Sequence, residues 1–209
     1  MKLKLLFLLM TLSPLRFYGQ TVKDSLLKAD IYELVEHLEF MYGYDQSLRE
    51  YTLFKTFDKH ETDRIESLRE SLQKEERKKR SFVSDSLGDF IWKQYINPID
   101  SIHTQKLIDI TRKYGFPTNE RLKKYYDKEF IDSEFRALLI FIHAPQIYWD
   151  DLKSLMKTEL DEGRISRCDY GYVLWHVNGR NKFSYLLDNG YKLVKDKNGR
   201  ERFKAVDCH

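Results

Sequence analysis

Apolar residues recur with the period of an α-helix in the first part of the chain, from Asp24 onward. Asp24 or Ser25 is available as the N-cap, because either side chain can accept a hydrogen bond from a free backbone amide. Gly43 is expected to interrupt this helix, and residues 44–57 are expected to form a second helical stretch. The apolar side of the first helix carries Leu27, Ile31, Leu34, Val35, Leu38 and Met41.

The segment 58–95 is more polar than its surroundings. Its first half carries a narrow apolar stripe, which predicts a charged helical insertion or arm. The basic run 74–80 also contains Glu75 and Glu76, so we interpret it as a solvated helix face rather than a nucleic-acid or membrane patch. The stripe consists of Ile65, Leu68 and Leu72.

Proline, glycine and hydroxyl residues predict several helix boundaries in the middle of the chain. Pro98 is expected to end one helix, and Ser101 is expected to cap the next. In the string "YGFPT", Gly115 can adopt the left-handed conformation past a helix end, and Pro117 forbids its continuation. Thr118 is then placed to cap a short helix.

The most apolar stretch precedes His143. We expect Asp132 to open a helix that ends at His143 and forms the central, most buried helix of the protein. Gly163 is expected to stop the following helix. Ser166 and Asp169 have the spacing of a capping box, so another helix should begin there.

The end of the chain has the pattern of a β-hairpin over residues 190–207. Asn198-Gly199 stands between two strand-like runs, and this dipeptide favours the tight turn that joins antiparallel strands. The sequence therefore predicts a mainly α fold. We expect a multi-helix, bundle-like single domain over residues 20–209, closed by this small C-terminal hairpin.

Residues 1–19 have the layout of a secretory signal peptide. Lys2 and Lys4 precede an apolar run over residues 5–12, which is too short to span a membrane. We expect this segment to be removed and the protein to be exported, to the periplasm or the medium. Since Lys2, Lys4 and Arg16 leave with it, 33 basic and 33 acidic residues remain, and the balance gives no support to nucleic-acid binding.

Cys168 and Cys208 are the two cysteines of the chain. An oxidising compartment permits them to pair, which would pin the C-terminal tail to the helix that carries Cys168. The alternative is one buried thiol and one thiol on a frayed tail. We favour the unpaired thiols, because two cysteines form no disulfide framework.

Four short strings occur in the order typical of one protein family. They are "DQSLR", "IDSIHTQKLIDITRKYGFPT", "HAP" and "LDEGRISRCDYGYVL". On these strings the chain resembles a divergent member of the bacterial family catalogued as domain of unknown function 6624. The resemblance covers most of the chain after the signal segment, and residues 58–95 look like extra length relative to the family.

The resemblance implies that Asp45, Gln46, Arg49 and His143 belong to a shared polar set. Other positions depart from the family: Phe116 replaces a tryptophan, Ile142 replaces a glutamine, and Trp175-His176 replaces an aspartate-arginine pair. The glutamine- and glycine-rich string that follows in the family is also missing. If that polar set is a site, this chain retains about half of it.

The residues themselves give His143 two interpretations. Pro145 disfavours helical geometry at the preceding residue, so His143 belongs to the last helical turn, where the helix dipole favours a protonated ring. With Asp45, Gln46 and Arg49 it would form a polar pocket for an anionic or hydrogen-bonding ligand. The alternative, which we favour, is a buried network that ties helix ends together.

His176 lies seven residues after Asp169 and therefore on the same helix face. It could line the same pocket or cover a hydrophobic edge, and we favour the second role. Cys168 lies about 12 Å of helix away from it, too far for a nucleophile and base pair.

The chain lacks the strong sequence signatures of enzymes and metal sites. Asp58, His60, Glu61 and Asp63 lack an established ligand spacing, and helix capping explains them better than a metal does. No cofactor motif is present. We therefore expect a non-catalytic binding or interaction module with a ligand or protein partner. The alternative is a hydrolase- or transferase-like enzyme that uses His143 with Asp45 and Arg49.

Overall fold

The computed structural model describes residues 22–196 and 201–209, and these are mainly helical. The predicted signal segment, residues 1–19, lies outside the described residues. The mainly α fold with a small C-terminal β-hairpin is confirmed. In chain order the elements are α1 (residues 22–29), α2 (Ile31–Phe54), α3 (Lys59–Ser67), α4 (Glu70–Lys79), α5 (Asp85–Ile91), a π-helical turn (Trp92–Ile96), α6 (Asn97–Tyr114), α7 (Asn119–Lys123), α8 (Leu138–Ile142), a 3₁₀ turn (Gln146–Tyr148), α9 (Trp149–Asp161), α10 (Arg167–His176), α11 (Ser184–Leu187), β1 (Tyr191–Lys195) and β2 (Glu201–Ala205).

The core lies where α2, α6, α8, α9 and α10 meet. The predicted apolar stripe of α1 and α2 is buried there, and Leu27, Val35 and Leu38 are fully inaccessible to solvent. Phe141 of α8 is also fully buried and contacts Phe116, with 5.6 Å between the ring centroids. The short α8 is therefore enclosed by the longer helices.

Helix α2 runs through Gly43, so the predicted interruption there is wrong. A glycine inside a helix costs about 1 kcal/mol relative to alanine. Met41, Tyr42 and Asp45 are buried on both sides of it, and burial of this kind outweighs such a cost. The chain instead turns at Asp30, between α1 and α2.

Pro98 does not end a helix, because it lies in the first turn of α6. The π-helical turn just before it is the physical reason. Proline clashes with the carbonyl four residues earlier in a regular α-helix, and a wider π turn relieves that clash. Ser101 lies inside α6 rather than at its cap, and its hydroxyl meets that of Tyr148 at 3.1 Å.

The predicted charged arm is built from α3, α4 and α5. Asp58 caps α3 by accepting a hydrogen bond from the His60 amide at 3.0 Å, as the capping interpretation of this acidic run predicts. Ile65 is fully buried, whereas α4 has no buried residue. Arg80, just after α4, donates to the Phe54 carbonyl at 3.2 Å, so the arm contacts the end of α2 at this point as well as through α3.

The predicted helix from Asp132 to His143 is mostly wrong, because only α8 forms within it. The Asp132 side chain accepts a hydrogen bond from the Glu134 amide, which favours a turn. Asn119 donates to the Phe135 carbonyl at 2.7 Å and so occupies a group that a helix would need. The predicted end is confirmed, since His143 is the C-cap of α8.

The boundaries predicted at Thr118, Gly163 and Ser166 are confirmed. The Thr118 and Ser166 side chains accept hydrogen bonds from the amides of Arg121 and Asp169, respectively. Gly163 follows α9 with a φ of 67°, a conformation that favours glycine.

The C-terminal tail folds back over the start of α10. A disulfide joins Cys168 and Cys208, whose Cα atoms lie 4.9 Å apart, so the expectation of unpaired thiols is wrong. The Arg167 amide donates to the Cys208 carbonyl at 3.1 Å, which brings the two cysteines together. In the hairpin, Leu193 lies opposite Phe203. The predicted turn residues, 198 and 199, lie outside the described part of the chain.

Gly115 adopts a φ of 75° and a ψ of 161°, so φ is positive as predicted, but ψ is extended rather than left-handed helical. A Cβ atom there would lie 2.5 Å from Cδ of Arg164 and 2.7 Å from a guanidinium nitrogen of Arg121. The backbone of the turn after α6 thus packs directly against both arginine side chains.

We expect Gly115→Ala to lower the free energy of unfolding by about 3 kcal/mol, from backbone strain and overpacking. Gly43→Ala is the matched control, because a Cβ there meets nothing within 4 Å and should stabilise the helix by about 0.5 to 1 kcal/mol. Urea unfolding followed by circular dichroism measures both changes. Equal stabilities of the two variants would contradict the proposed role of the turn.

Candidate functional site

Asp45, Arg49 and His143 meet between α2 and the end of α8. Asp45 and Arg49 are one helical turn apart and so face the same side of α2. His143 is held at the end of α8, where Pro145 prevents the helix from continuing. The structure thus brings together the polar set predicted from the sequence, including Gln46 beside Asp45.

Protein side chains engage both carboxylate oxygens of Asp45. Nδ1 of His143 lies 3.0 Å from one oxygen, and Gln46 donates to that same oxygen at 2.7 Å. Nε of Arg49 donates to the other oxygen at 3.0 Å. Burial raises the pKa of Asp45, but the hydrogen bonds and charges of His143 and Arg49 outweigh it and hold the pKa below its ordinary value. Asp45 is therefore a buried, ionised carboxylate.

Helix α6 adds two residues that the sequence interpretation missed. Arg49 donates from Nη2 to Asp100 at 2.5 Å, so one guanidinium bridges two carboxylates. His103, one turn later, is buried, and its Nδ1 makes no hydrogen bond within the described residues. Burial lowers the pKa of His103. Both residues stand in the string "IDSIH", whose polar spacing could have identified them.

The pKa of Asp100 is raised to about 6, chiefly by burial, although the charge and hydrogen bond of Arg49 act in the opposite direction. A raised folded-state pKa means that the protonated carboxyl stabilises the fold. This contribution is fully present below pH 3.8 and is lost as the pH rises through about 6.

We expect Asp100→Asn to be about 2 kcal/mol more stable than the wild type at pH 7 and equally stable at pH 4, because asparagine removes a buried charge. Urea unfolding at several pH values between 4 and 7 measures the difference. Asp109→Asn, on the exposed side of the same helix, is the control. A constant difference across this pH range would contradict the assignment to Asp100.

His176 lies beside the cluster rather than within it. Its Nδ1 accepts a hydrogen bond from Nε of Arg180 at 3.0 Å, and its ring packs edge-on against Tyr172. Burial, followed by the charges of Arg180 and His143, lowers the pKa of His176 to about 4. The ring is therefore neutral at pH 7. The favoured role of covering a hydrophobic edge stays a prediction.

His143 is the residue of this cluster that could take part in a chemical reaction. Its side chain is 20% exposed, and Nε2 makes no hydrogen bond with another described residue. A histidine oriented through Nδ1 by an ionised aspartate can exchange a proton at Nε2. Within residues 22–196 and 201–209, no group of three histidine, cysteine or acidic side chains could hold a metal ion.

A cleft of about 700 Å³ lies elsewhere, where α7, the end of α9 and the start of α10 meet the C-terminal tail. Asp45, Arg49 and His143 are not among the residues that line this cleft. Ser166, Asp169 and Cys208 lie on its walls. From the sequence, Ser166 and Asp169 were predicted as a capping box and Cys208 as a possible disulfide partner, and none of them was predicted to line a cleft. We call this feature the α10 cleft.

The surroundings of the α10 cleft are held by buried contacts. Arg121 donates to the carbonyls of Tyr114 and Phe116 at 2.9 and 2.8 Å. Arg164 donates twice to Glu159, which is completely buried. These contacts and the disulfide hold Arg121, Arg164 and the tail in position.

No helix in the described part of the chain is long and apolar enough to cross a membrane. The resemblance to domain of unknown function 6624 stays a prediction. Comparison with protein-family models, curated proteins and solved structures finds no match to this chain.

Proposed function

We propose that this protein is an exported, non-catalytic module that binds a small ligand in the α10 cleft. The observation that carries the proposal is a preformed cleft of about 700 Å³ that is separate from the histidine cluster. Sites for small ligands commonly have volumes of about 300 to 1,000 Å³ and are largely formed before binding. Export is proposed from the basic and apolar pattern of residues 1–19.

The contacts of the polar cluster support a structural role for it. Asp45 uses both carboxylate oxygens within the protein, and Arg49 joins α2 to α6 through Asp100. His143 joins the same carboxylate to α8. These contacts fix how α2, α6 and α8 pack.

A screen of small molecules by thermal shift tests the proposed binding function. Glu120 is exposed on the cleft wall, so Glu120→Trp should fill the opening while the fold is retained. Glu75→Trp on the exposed arm is the matched control. We expect ligands that raise the melting temperature of the wild type and of Glu75→Trp but not that of Glu120→Trp. Ligands that bind all three proteins equally would place the site elsewhere.

One observation favours a second candidate function, a hydrolase- or transferase-like enzyme. His143 is oriented by Asp45 at 3.0 Å and keeps Nε2 free, as a general base requires. In this proposal Nε2 removes the proton of an attacking water or hydroxyl and returns it to the leaving group. Arg49 holds Asp45 ionised.

His143→Gln separates the two candidates when stability and turnover of any substrate from a screen are measured together. An enzyme should lose at least about 100-fold in kcat while it stays folded. His176→Gln is the control for loss of a histidine outside the cluster. Lower stability without a separable activity would contradict the catalytic candidate.

A further inference from the structure

We infer that the α10 cleft selects small ligands with several negative charges, carried by phosphate or carboxylate groups. This inference rests on the proposed binding function and names the class of ligand. It begins with the five basic residues on the walls, against three acidic ones. The basic residues are Arg121, Lys124, Arg136, Arg164 and Arg167, and the acidic residues are Asp24, Glu120 and Asp169.

Two of the five cations serve the fold. Arg121 pairs with Asp24 at 2.6 Å, and Arg164 pairs with Glu159 at 2.5 Å. Both guanidinium groups are almost fully buried, at 8% and 4% exposure. Both line the cleft and are paired with carboxylates, so they do not provide its selectivity.

Two of the other three cations are open to a ligand. Lys124 and Arg136 are exposed, and neither makes an ion pair or a side-chain hydrogen bond within the described residues. Arg167 is engaged within the protein, because its Nη2 donates to the Asp188 carbonyl at 3.1 Å and its Nη1 lies 3.5 Å from Asp207. Two cations, Lys124 and Arg136, therefore line the cleft with little internal compensation.

The acidic walls offset this charge only in part. The Asp24 carboxylate already accepts from Arg121, and the Asp169 carboxylate accepts from the Ser166 hydroxyl at 2.8 Å. Glu120 is exposed and has no such contact in the described part of the chain. Lys124, directly after α7, and Arg136, shortly before α8, line one opening and make no ion pair within the described residues, so a multiply charged anion can bridge them.

The geometry also favours a compact anion over a long polymer. The tail residues Cys208 and His209 line the cleft, and the disulfide to Cys168 fixes the tail across one side. The tail therefore bounds the cleft at this side. Small polyphosphates and tricarboxylates have the size and charge that such a cleft accepts.

Calorimetric titration of the full chain with inorganic pyrophosphate, citrate and sucrose tests the inference. We expect pyrophosphate or citrate, but not neutral sucrose, to bind, with an affinity that falls as salt increases. Binding of pyrophosphate alone indicates a phosphate ligand, and binding of citrate alone indicates a carboxylate ligand. The double variant Lys124→Gln/Arg136→Gln should raise Kd for the bound anion at least tenfold.

The control variant Lys74→Gln/Lys93→Gln removes two exposed positive charges outside the cleft, so it should leave Kd within twofold. Equal weakening by both double variants would overturn the inference, because general attraction to cations would then explain the binding. If a neutral ligand binds and Glu120→Trp blocks it, while no anion binds, the inferred ligand class is overturned but the proposed binding function is retained. Absence of any ligand sensitive to Glu120→Trp would overturn both.

Discussion

Replacing Glu159 with glutamine is expected to lower the free energy of unfolding by about 4 kcal/mol, because it leaves a buried arginine without its counter-charge. Glu159 is fully buried and accepts from Nε and Nη2 of Arg164 at 2.5 and 2.8 Å. It also accepts from the Phe116 amide at 2.8 Å. The pair thus holds α9 to the turn after α6.

Glu159 and Arg164 each favour the ionised form of the other. Burial raises the pKa of Glu159, but the hydrogen bonds from Arg164 and the Phe116 amide outweigh it, so the pKa is lowered and the carboxylate stays ionised. For Arg164, burial lowers the pKa and the contacts with Glu159 reverse this effect. Removal of either charge therefore exposes the full desolvation cost of the other.

Urea unfolding of three variants at pH 7 tests this expectation. Glu159→Gln should be strongly destabilised, whereas Glu162→Gln should change by less than about 1 kcal/mol, since Glu162 is partly exposed and lies 3.8 Å from Arg164. The double variant Glu159→Leu/Arg164→Met should recover much of the loss, because it buries no unpaired charge. A Glu159→Gln variant with the same free energy of unfolding as the wild type would contradict the stabilising role of this pair.

Local sequence signals predicted the mainly α fold well, because the formation of a helix depends largely on residues that are neighbours in the sequence. Hydroxyl caps at Thr118 and Ser166 form within three residues of chain, and they are present as predicted. Gly43 and Pro98 were wrongly predicted as helix breaks, because tertiary burial and a π turn override local propensity. The pairing of Cys168 with Cys208 depends on where the tail folds, which periodicity does not report.

The candidate site was predictable in part for a similar reason. His143 stands at the end of an apolar run, so the residues themselves indicated it, whereas Asp45 and Arg49 were indicated only by the resemblance to the family. Asp100 and His103 lie on a helix whose predicted start was misplaced by Pro98, and their contribution was missed. The cations of the α10 cleft come from separate elements, so no local pattern could group them.

Replacing Arg49 with methionine is expected to destabilise the protein by about 4 kcal/mol at pH 7. The guanidinium donates to Asp45 and Asp100 and lies 5.2 Å from the centre of the Trp92 ring. Methionine retains much of the packing volume but leaves two buried carboxylates without their shared cation. His143 still contacts Asp45, so the uncompensated charge falls mainly on Asp100.

The pH dependence of Arg49→Met separates this electrostatic effect from lost packing. Without Arg49, the pKa of Asp100 should rise further above about 6, because the guanidinium lowers it more than the charge of His143 does. Protonation of Asp100 then relieves the repulsion, so the difference from wild type should shrink as the pH falls from 7 to 5. Arg49→Met/Asp100→Asn should regain stability at pH 7, and Arg112→Met, which breaks an exposed pair with Asp151, should cost less than about 1 kcal/mol. A loss for Arg49→Met that stays constant with pH and persists in the double variant would assign the role of Arg49 to packing against Trp92 instead.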